Sequence, residues 1–191
     1  MKLYVPENSF WQNKPASSLT RMQKYWLHRP GALTIGLRAL GHVELRVLRE
    51  YAGGLGGDEH GLIPGKRGQA IWIREVCMSI NGTDSVFARS ITPSRASQGT
   101  WQGIRRLRTR PLADMLYNDP DIVRSSFATA RLGRQHALFT TFQRLQSGTK
   151  RQPYIPSPGL LARCSVFWRH AQPLVVEECF LPGFWALAQR V

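Results

Sequence analysis

Apolar positions along the chain alternate between a helical period and an extended one, and each change of period predicts an element. After an irregular start, Ser17 or Ser18 can accept the first free amide hydrogens of a helix running through about Leu27. Pro30-Gly31 ends it. Leu33, Leu37 and Leu40 then fall at i, i+4 and i+7, with Gly41 where a C-terminal glycine belongs, which predicts a second short helix. From His42 the period drops to two: Val43, Leu45 and Val47 alternate with Glu44 and Arg46, as a strand with one face on a core requires. The glycine-rich residues 53–68 are expected to form a mobile connection. Residues 69–80 and 85–92 read as two strands joined through Asn81-Gly82, a pair suited to the positive dihedrals of a tight hairpin turn.

Further on, Trp101, Ile104 and Leu107, then Leu112, Met115 and Leu116, predict two short helices separated by Thr109-Arg110-Pro111. Residues 122–127 suggest a strand. Residues 131–158 are the least regular and predict a covering loop with an edge strand at 136–142. A second hairpin closes the chain, 161–169 with 174–180, turning through His170-Ala171-Gln172-Pro173. Hairpin-linked strands separated by helices imply an α+β fold: a single domain over 1–191, with an irregular extension at 1–16 and an antiparallel sheet with helices packed on one side.

Composition supports one globular core, since 6 Trp, 8 Phe and 5 Tyr are spread over the 191 residues. Neither an apolar run of about 18 residues nor a cleavable leader pattern occurs, so a cytoplasmic protein without stable membrane insertion is expected. Cys77, Cys164 and Cys179 form no C-x-x-C pair and read as reduced strand residues. The formal net charge of +14 asks for an anionic partner or surface. The densest basic run, Arg105, Arg106, Arg108 and Arg110, reads first as a solvated helix end and loop. Aromatic residues are not interleaved with basic ones as stacking platforms would be, which argues against a nucleic-acid partner. The five histidines lack metal-ligand spacing, and no G-x-S-x-G nucleophile elbow or phosphate-binding glycine loop is present.

What remains to be explained is charge on strands made for a core. Alternation puts Leu174, Val176, Glu178 and Phe180 on one face of the last strand and Val175, Glu177, Cys179 and Leu181 on the other, one carboxylate to each face. Burying an unpaired carboxylate costs several kcal/mol. Ile71-Trp72-Ile73-Arg74-Glu75-Val76 poses the same problem. Either Arg74 and a glutamate pair across strands, or the sheet face carries a pocket in which an arginine fork grips a substrate carboxylate and a glutamate meets a hydroxyl. Spacing leaves both open.

Four blocks in order resemble the chorismate-pyruvate lyase family, which makes 4-hydroxybenzoate for ubiquinone. They are Ile71-Trp72-Ile73-Arg74-Glu75-Val76, Ala88-Arg89-Ser90-Ile91-Thr92-Pro93, Thr109-Arg110-Pro111-Leu112-Ala113-Asp114-Met115-Leu116, and Arg163-Cys164-Ser165 running into Pro173-Leu174-Val175-Val176-Glu177-Glu178-Cys179-Phe180-Leu181-Pro182. The resemblance implies flaps over a buried ligand site and a cofactor-independent lyase that takes chorismate as its small-molecule substrate and releases pyruvate and 4-hydroxybenzoate. A monomer is expected. Carried over by position, Arg74 grips the ring carboxylate, Glu178 faces the ring hydroxyl, the backbone at Leu33 and Leu112 lines the site, and Arg89 supports it. The chain departs from the family pattern in its long 131–158 stretch and in Ala88, where glycine can occur. The rival reading is a non-catalytic effector-binding domain of the same fold, which in transcription regulators follows a winged helix-turn-helix; only two short helices precede the first strand here.

Overall fold

The computed structural model describes residues 10–64, 68–147 and 159–189. Residues 10–16 are irregular, as expected, yet Trp11 is buried and Gln12 exchanges backbone hydrogen bonds with Thr129. The first helix, α1 (Arg21–His28), starts later than expected because Thr20, not Ser17 or Ser18, is its cap. Thr20 and Gln23 satisfy each other's backbone amides in a capping box. Helix α2 (Leu33–Arg38) follows, then β1 (Val43–Gly53), which runs well past the alternating stretch through a register irregularity between Val47 and Arg49. The glycine-rich connection carries a 3₁₀ turn, Gly57–Glu59, that buries Asp58 and Glu59 completely.

Strands β2 (Ile71–Ile80) and β3 (Thr83–Pro93) form the expected hairpin, with Asn81 at φ 48° and Gly82 at φ 78° in its two-residue turn. The Asn81 side chain also accepts from the His42 amide. Residues 21–38, with α1 and α2, form a first segment covering the sheet, and a second covering segment comes next: α3 (Ser94–Gln98), a 3₁₀ turn over Gln102–Arg106 where an α-helix was expected, and α4 (Ala113–Leu116). The strand expected at 122–127 is split. Only β4 (Val123–Arg124) pairs there, because the Ser125 amide donates to the Val166 carbonyl while the Val166 amide is met by the Ser125 hydroxyl instead of a backbone carbonyl, and pairing resumes as β5 (Ala128–Leu132).

Residues expected to form an edge strand at 136–142 lie instead in or beside helix α5 (Ala137–Ser147). Leu138, Phe139 and Phe142 make a helical stripe that buries itself on the sheet, Phe142 against Phe87. A seven-residue window of that composition satisfies either period, and burial of the stripe decides for the helix. The rest of the expected covering loop, 148–158, lies outside the described residues. The chain ends with β6 (Leu160–Arg169), β7 (Gln172–Phe180) and α6 (Pro182–Ala188).

All strand pairs are antiparallel, in the order β1-β2-β3-β7-β6-β4, with β5 continuing the same edge of β6. The α+β architecture with an antiparallel sheet is therefore as the periodicity implies, but helices cover both faces instead of one, because the apolar stripe of α5 packs on the side opposite α1, α2 and α6. Because side chains alternate, the sheet has two chemically different faces. One carries Arg74, Val76, Met78, Ala88, Ser90, Arg163, Val176 and Glu178 beneath α1, α2, α4 and α6. The other carries Cys77, Phe87, Cys164 and Cys179 in the core that α5 covers. All three cysteines are buried free thiols. No helix of the described residues is long and apolar enough to cross a membrane.

Candidate active site

On the first face, a cavity of about 60 Å³ lies between the sheet and the two covering segments. That is several times the roughly 10–15 Å³ one water needs on the same measure. Its floor is apolar, formed by Val76, Met78, Ala88 and Val176; Ala32, Leu33 and Thr34 come from the first segment, Pro111, Leu112, Leu116 and Tyr117 from the second. The Tyr117 hydroxyl donates to the Gly31 carbonyl at 2.9 Å, joining the two segments.

Strand register fixes how the charged groups are spaced. Arg74, Ser90, Val176 and Ser165 stand in one row across β2, β3, β7 and β6, and Val76, Ala88, Glu178 and Arg163 form the next. Arg74 and Glu178 are thus two strands and two residues apart on one face. Ordinary sheet dimensions put their Cα atoms roughly 12 Å from each other. Two long side chains converging over that span leave room for a six-membered ring between them.

Arg74 is 1% exposed. Its Nε donates to Glu50 at 2.9 Å, and its Nη2 to the carbonyls of Arg108 at 2.6 Å and Arg110 at 3.4 Å in the second segment. Nη1 takes no part in these bonds. Burial pulls this guanidinium below its ordinary value, and Glu50 opposes that pull. Pairing of Arg74 with a cross-strand glutamate is therefore real, yet it occupies one edge of the fork and coexists with the cavity.

Glu178 pairs with a residue to which the sequence reading assigned no role. Arg163 on β6, 1% exposed, donates from Nε to the Glu178 carboxylate at 2.5 Å. A two-residue turn at His170-Ala171, both at positive φ, places the two directly opposite. The expected four-residue turn, 170–173, shifts the register by two and hides this pair. Counting outward from the shorter turn would have found it, as would the anomaly that drew attention to Arg74: an arginine inside an apolar strand.

Leu33, Arg74, Leu112 and Glu178 all line the cavity. Arg89 does not. Alternation turns it to the opposite face, where it is paired with Glu59 and Glu75 and donates to the Tyr51 hydroxyl. Thr141 of α5 donates to Glu75 from above. Its expected support of the ligand site gives way to a buried ion network beneath α5, since adjacent rows, not adjacent blocks of sequence, decide which side chains meet.

The cavity can therefore hold a small ring on an apolar floor, with a cationic fork at one end and a paired carboxylate at the other. Such a site suits a flat anionic ligand bearing a hydroxyl. The chain resembles, at 53% identity over 97% of its length and 95% of the relative's, a probable chorismate pyruvate-lyase of Bordetella pertussis strain Tohama I. A probable chorismate pyruvate-lyase 1 of Pseudomonas entomophila strain L48 is 37% identical over 96% of this chain and 95% of its own. Among solved structures, PhnF from Mycobacterium smegmatis shares the fold at TM-score 0.51 and 12% identity, over 80% of this chain and 64% of that one. Its effector domain alone gives 0.50 at 12% identity, over 80% and 89%. The chorismate lyase family model matches residues 5–190, and with relatives this similar along nearly their whole length the chain belongs to the chorismate lyase family.

Proposed function

We propose that the protein eliminates pyruvate from chorismate to leave 4-hydroxybenzoate, in the cytoplasm and as the first committed step of ubiquinone biosynthesis. The observation that carries the residue assignment is the pairing of a cationic and a carboxylate end across one apolar sheet face. In this reading Arg74 holds the ring carboxylate through Nη1, the nitrogen that Glu50 and the Arg108 and Arg110 carbonyls leave uncommitted, and those bonds fix the plane of the guanidinium in a way that a lysine would not reproduce. Leu33 and Leu112 stand where α2 and α4 begin, and the first amides of a helix have no acceptor within it, so their backbones can add donors. Glu178 meets the hydroxyl on the ring carbon next to the ether.

In the reaction the ether bond from the ring carbon to the enolpyruvyl oxygen breaks with its electron pair leaving on that oxygen, the neighbouring hydroxyl-bearing carbon loses its hydrogen as a proton, and the released enolate takes up one proton at its methylene carbon to become pyruvate. Atoms balance without oxidant, reductant or water. Aromatisation drives the step downhill, so the residues contribute by positioning a dianion and by preorganised charge. The covering segments exclude water, which strengthens both contacts.

Purified protein incubated with chorismate should give 4-hydroxybenzoate and pyruvate in equal amounts, followed by absorbance and chromatography. Glu178→Ala should lower kcat by about a hundredfold or more while leaving the protein folded. Tight binding of 4-hydroxybenzoate with no turnover would favour a non-catalytic binding domain, and wild-type turnover in folded Glu178→Ala would remove that residue from the reaction.

A further inference from the structure

Arg163 makes more contacts than pairing with Glu178 requires. Its Nη1 donates at 3.1 Å to the Trp26 carbonyl and at 3.1 Å to the Arg29 carbonyl, the last turn and end of α1. Its guanidinium carbon lies 4.2 Å from the centre of the Phe127 ring, which lines the cavity. Nε, Nη1 and the guanidinium face are therefore all held, and Nε alone meets Glu178. Arg74 shows the same plan at the other end of the site: one edge on a glutamate, another on carbonyls of a covering segment. Each charged end is thereby tied to one of the two segments that close over the ligand.

We infer that Arg163 is a positioning residue for Glu178: it fixes the direction of that carboxylate and does so only when the first covering segment, residues 21–38, is seated. A carboxylate on a two-carbon stem has several rotamers and, being 14% exposed, some room to use them. A charge-assisted bond from a guanidinium pinned by three other contacts removes that freedom. Arg124 stacks on the same Phe127 ring at 4.3 Å, and the titratable groups facing Arg163 besides Glu178 are His28, held below its ordinary pKa by burial and then by Arg163, and Tyr117, whose hydroxyl burial pushes up. Neither bonds to Arg163, so Glu178 is its anionic partner here. If α1 lifts, the two carbonyl bonds break and the Arg163 fork is free to swing, taking the carboxylate out of line. Closure and the readiness of Glu178 become one event.

This rests on the proposed lyase reaction and on Glu178 acting in it, so wild-type turnover of chorismate is the first control: its absence would defeat that reading and not this one in particular. The deciding experiment is a double-mutant cycle on kcat with Arg163→Met, Glu178→Gln and the pair, with thermal melting to confirm folding. Arg163→Met should lower kcat ten- to a hundredfold with KM changed less than about threefold, because the substrate's carboxylate end is untouched. Added to Glu178→Gln it should cost less than twofold more, since the group it positions is already gone. Arg163→Lys should recover part of kcat by restoring the charge without the fork. Costs that simply multiply in the pair, or a folded Arg163→Met with wild-type kcat, would overturn the inference. If Arg163→Met does not fold, the cycle is run with Arg163→Lys and read by the same two criteria, non-multiplying against multiplying costs.

Discussion

Glu177 and Glu178 are neighbours on one strand, and the sheet sends them into different chemistry. Glu178 is partly open to the cavity and held by Arg163. Glu177 is fully buried on the other face, and neither of its carboxylate oxygens has a hydrogen-bond partner among the described residues. Burial first, then Glu59 and Asp58, push its carboxyl well above the usual range, with Arg89 opposing. The folded protein thus keeps a proton on Glu177 that the unfolded chain releases near the ordinary value. Stability from this group is present at low pH and is lost as pH rises through the folded-state value. Glu177→Gln mimics the protonated form at every pH. Its melting temperature should match the wild type near pH 4.5 and exceed it increasingly towards pH 8, by on the order of 1 kcal/mol, about 2–4 °C in a chain of this size. A constant difference across that range would show that Glu177 does not titrate between the two states. At this scale the sequence was legible where alternation alone decides. It put one carboxylate on each face and marked Arg74 as anomalous. It was silent on Arg163, whose partner depends on a turn shorter by two residues than the composition of 170–173 suggested, and on the facing of Arg89 relative to Arg74, which depends on the one-residue register shift between β2 and β3 at Met78/Ser79.

Among the elements, the two covering segments matter most, because they turn an open sheet face into a cavity. Among the described residues they meet through one hydrogen bond, Tyr117 Oη to the Gly31 carbonyl, and Tyr117 is also held by Arg124 at 2.9 Å. Tyr117 is 44% exposed, so the first bond is worth at most about 1 kcal/mol. Tyr117→Phe keeps the ring and removes both contacts of the hydroxyl. It should speed release of 4-hydroxybenzoate up to about fivefold, measured by stopped-flow displacement, with little change in melting temperature. Release at the wild-type rate would mean that this contact does not govern opening. The hairpin at Asn81-Gly82 and the helices flanking Pro30 were legible because turn and helix-stop chemistry is local, though the cap at Thr20 was not singled out from Ser17 and Ser18. The helix at 137–147 was not, since its short apolar stripe satisfies either period and only packing on Phe87 selects one. The split between β4 and β5 hangs on the Ser125 hydroxyl, and no pattern of apolar residues announces it.

For the whole molecule, the sheet divides its labour between faces. On the side covered by α5, Arg89 is sequestered among Glu59 and Glu75. Breaking such a buried network by removing one member is costly, so this face holds the fold together. On the other side, both buried arginines keep part of their forks for the covering segments, and the ring-sized space lies between them. The α+β class was readable because antiparallel hairpins announce themselves; which face held the ligand space was not, since each face carries a carboxylate among apolar neighbours. In the proposed reaction that space is a two-ended cradle. A crystal structure of the protein with 4-hydroxybenzoate tests this directly. The ring should lie on Val76, Ala88 and Val176, with its carboxylate about 2.7–2.9 Å from the Arg74 fork and its hydroxyl against Glu178. A carboxylate bound at Arg163 with the hydroxyl towards Arg74, or a ligand seated outside this cavity, would contradict it.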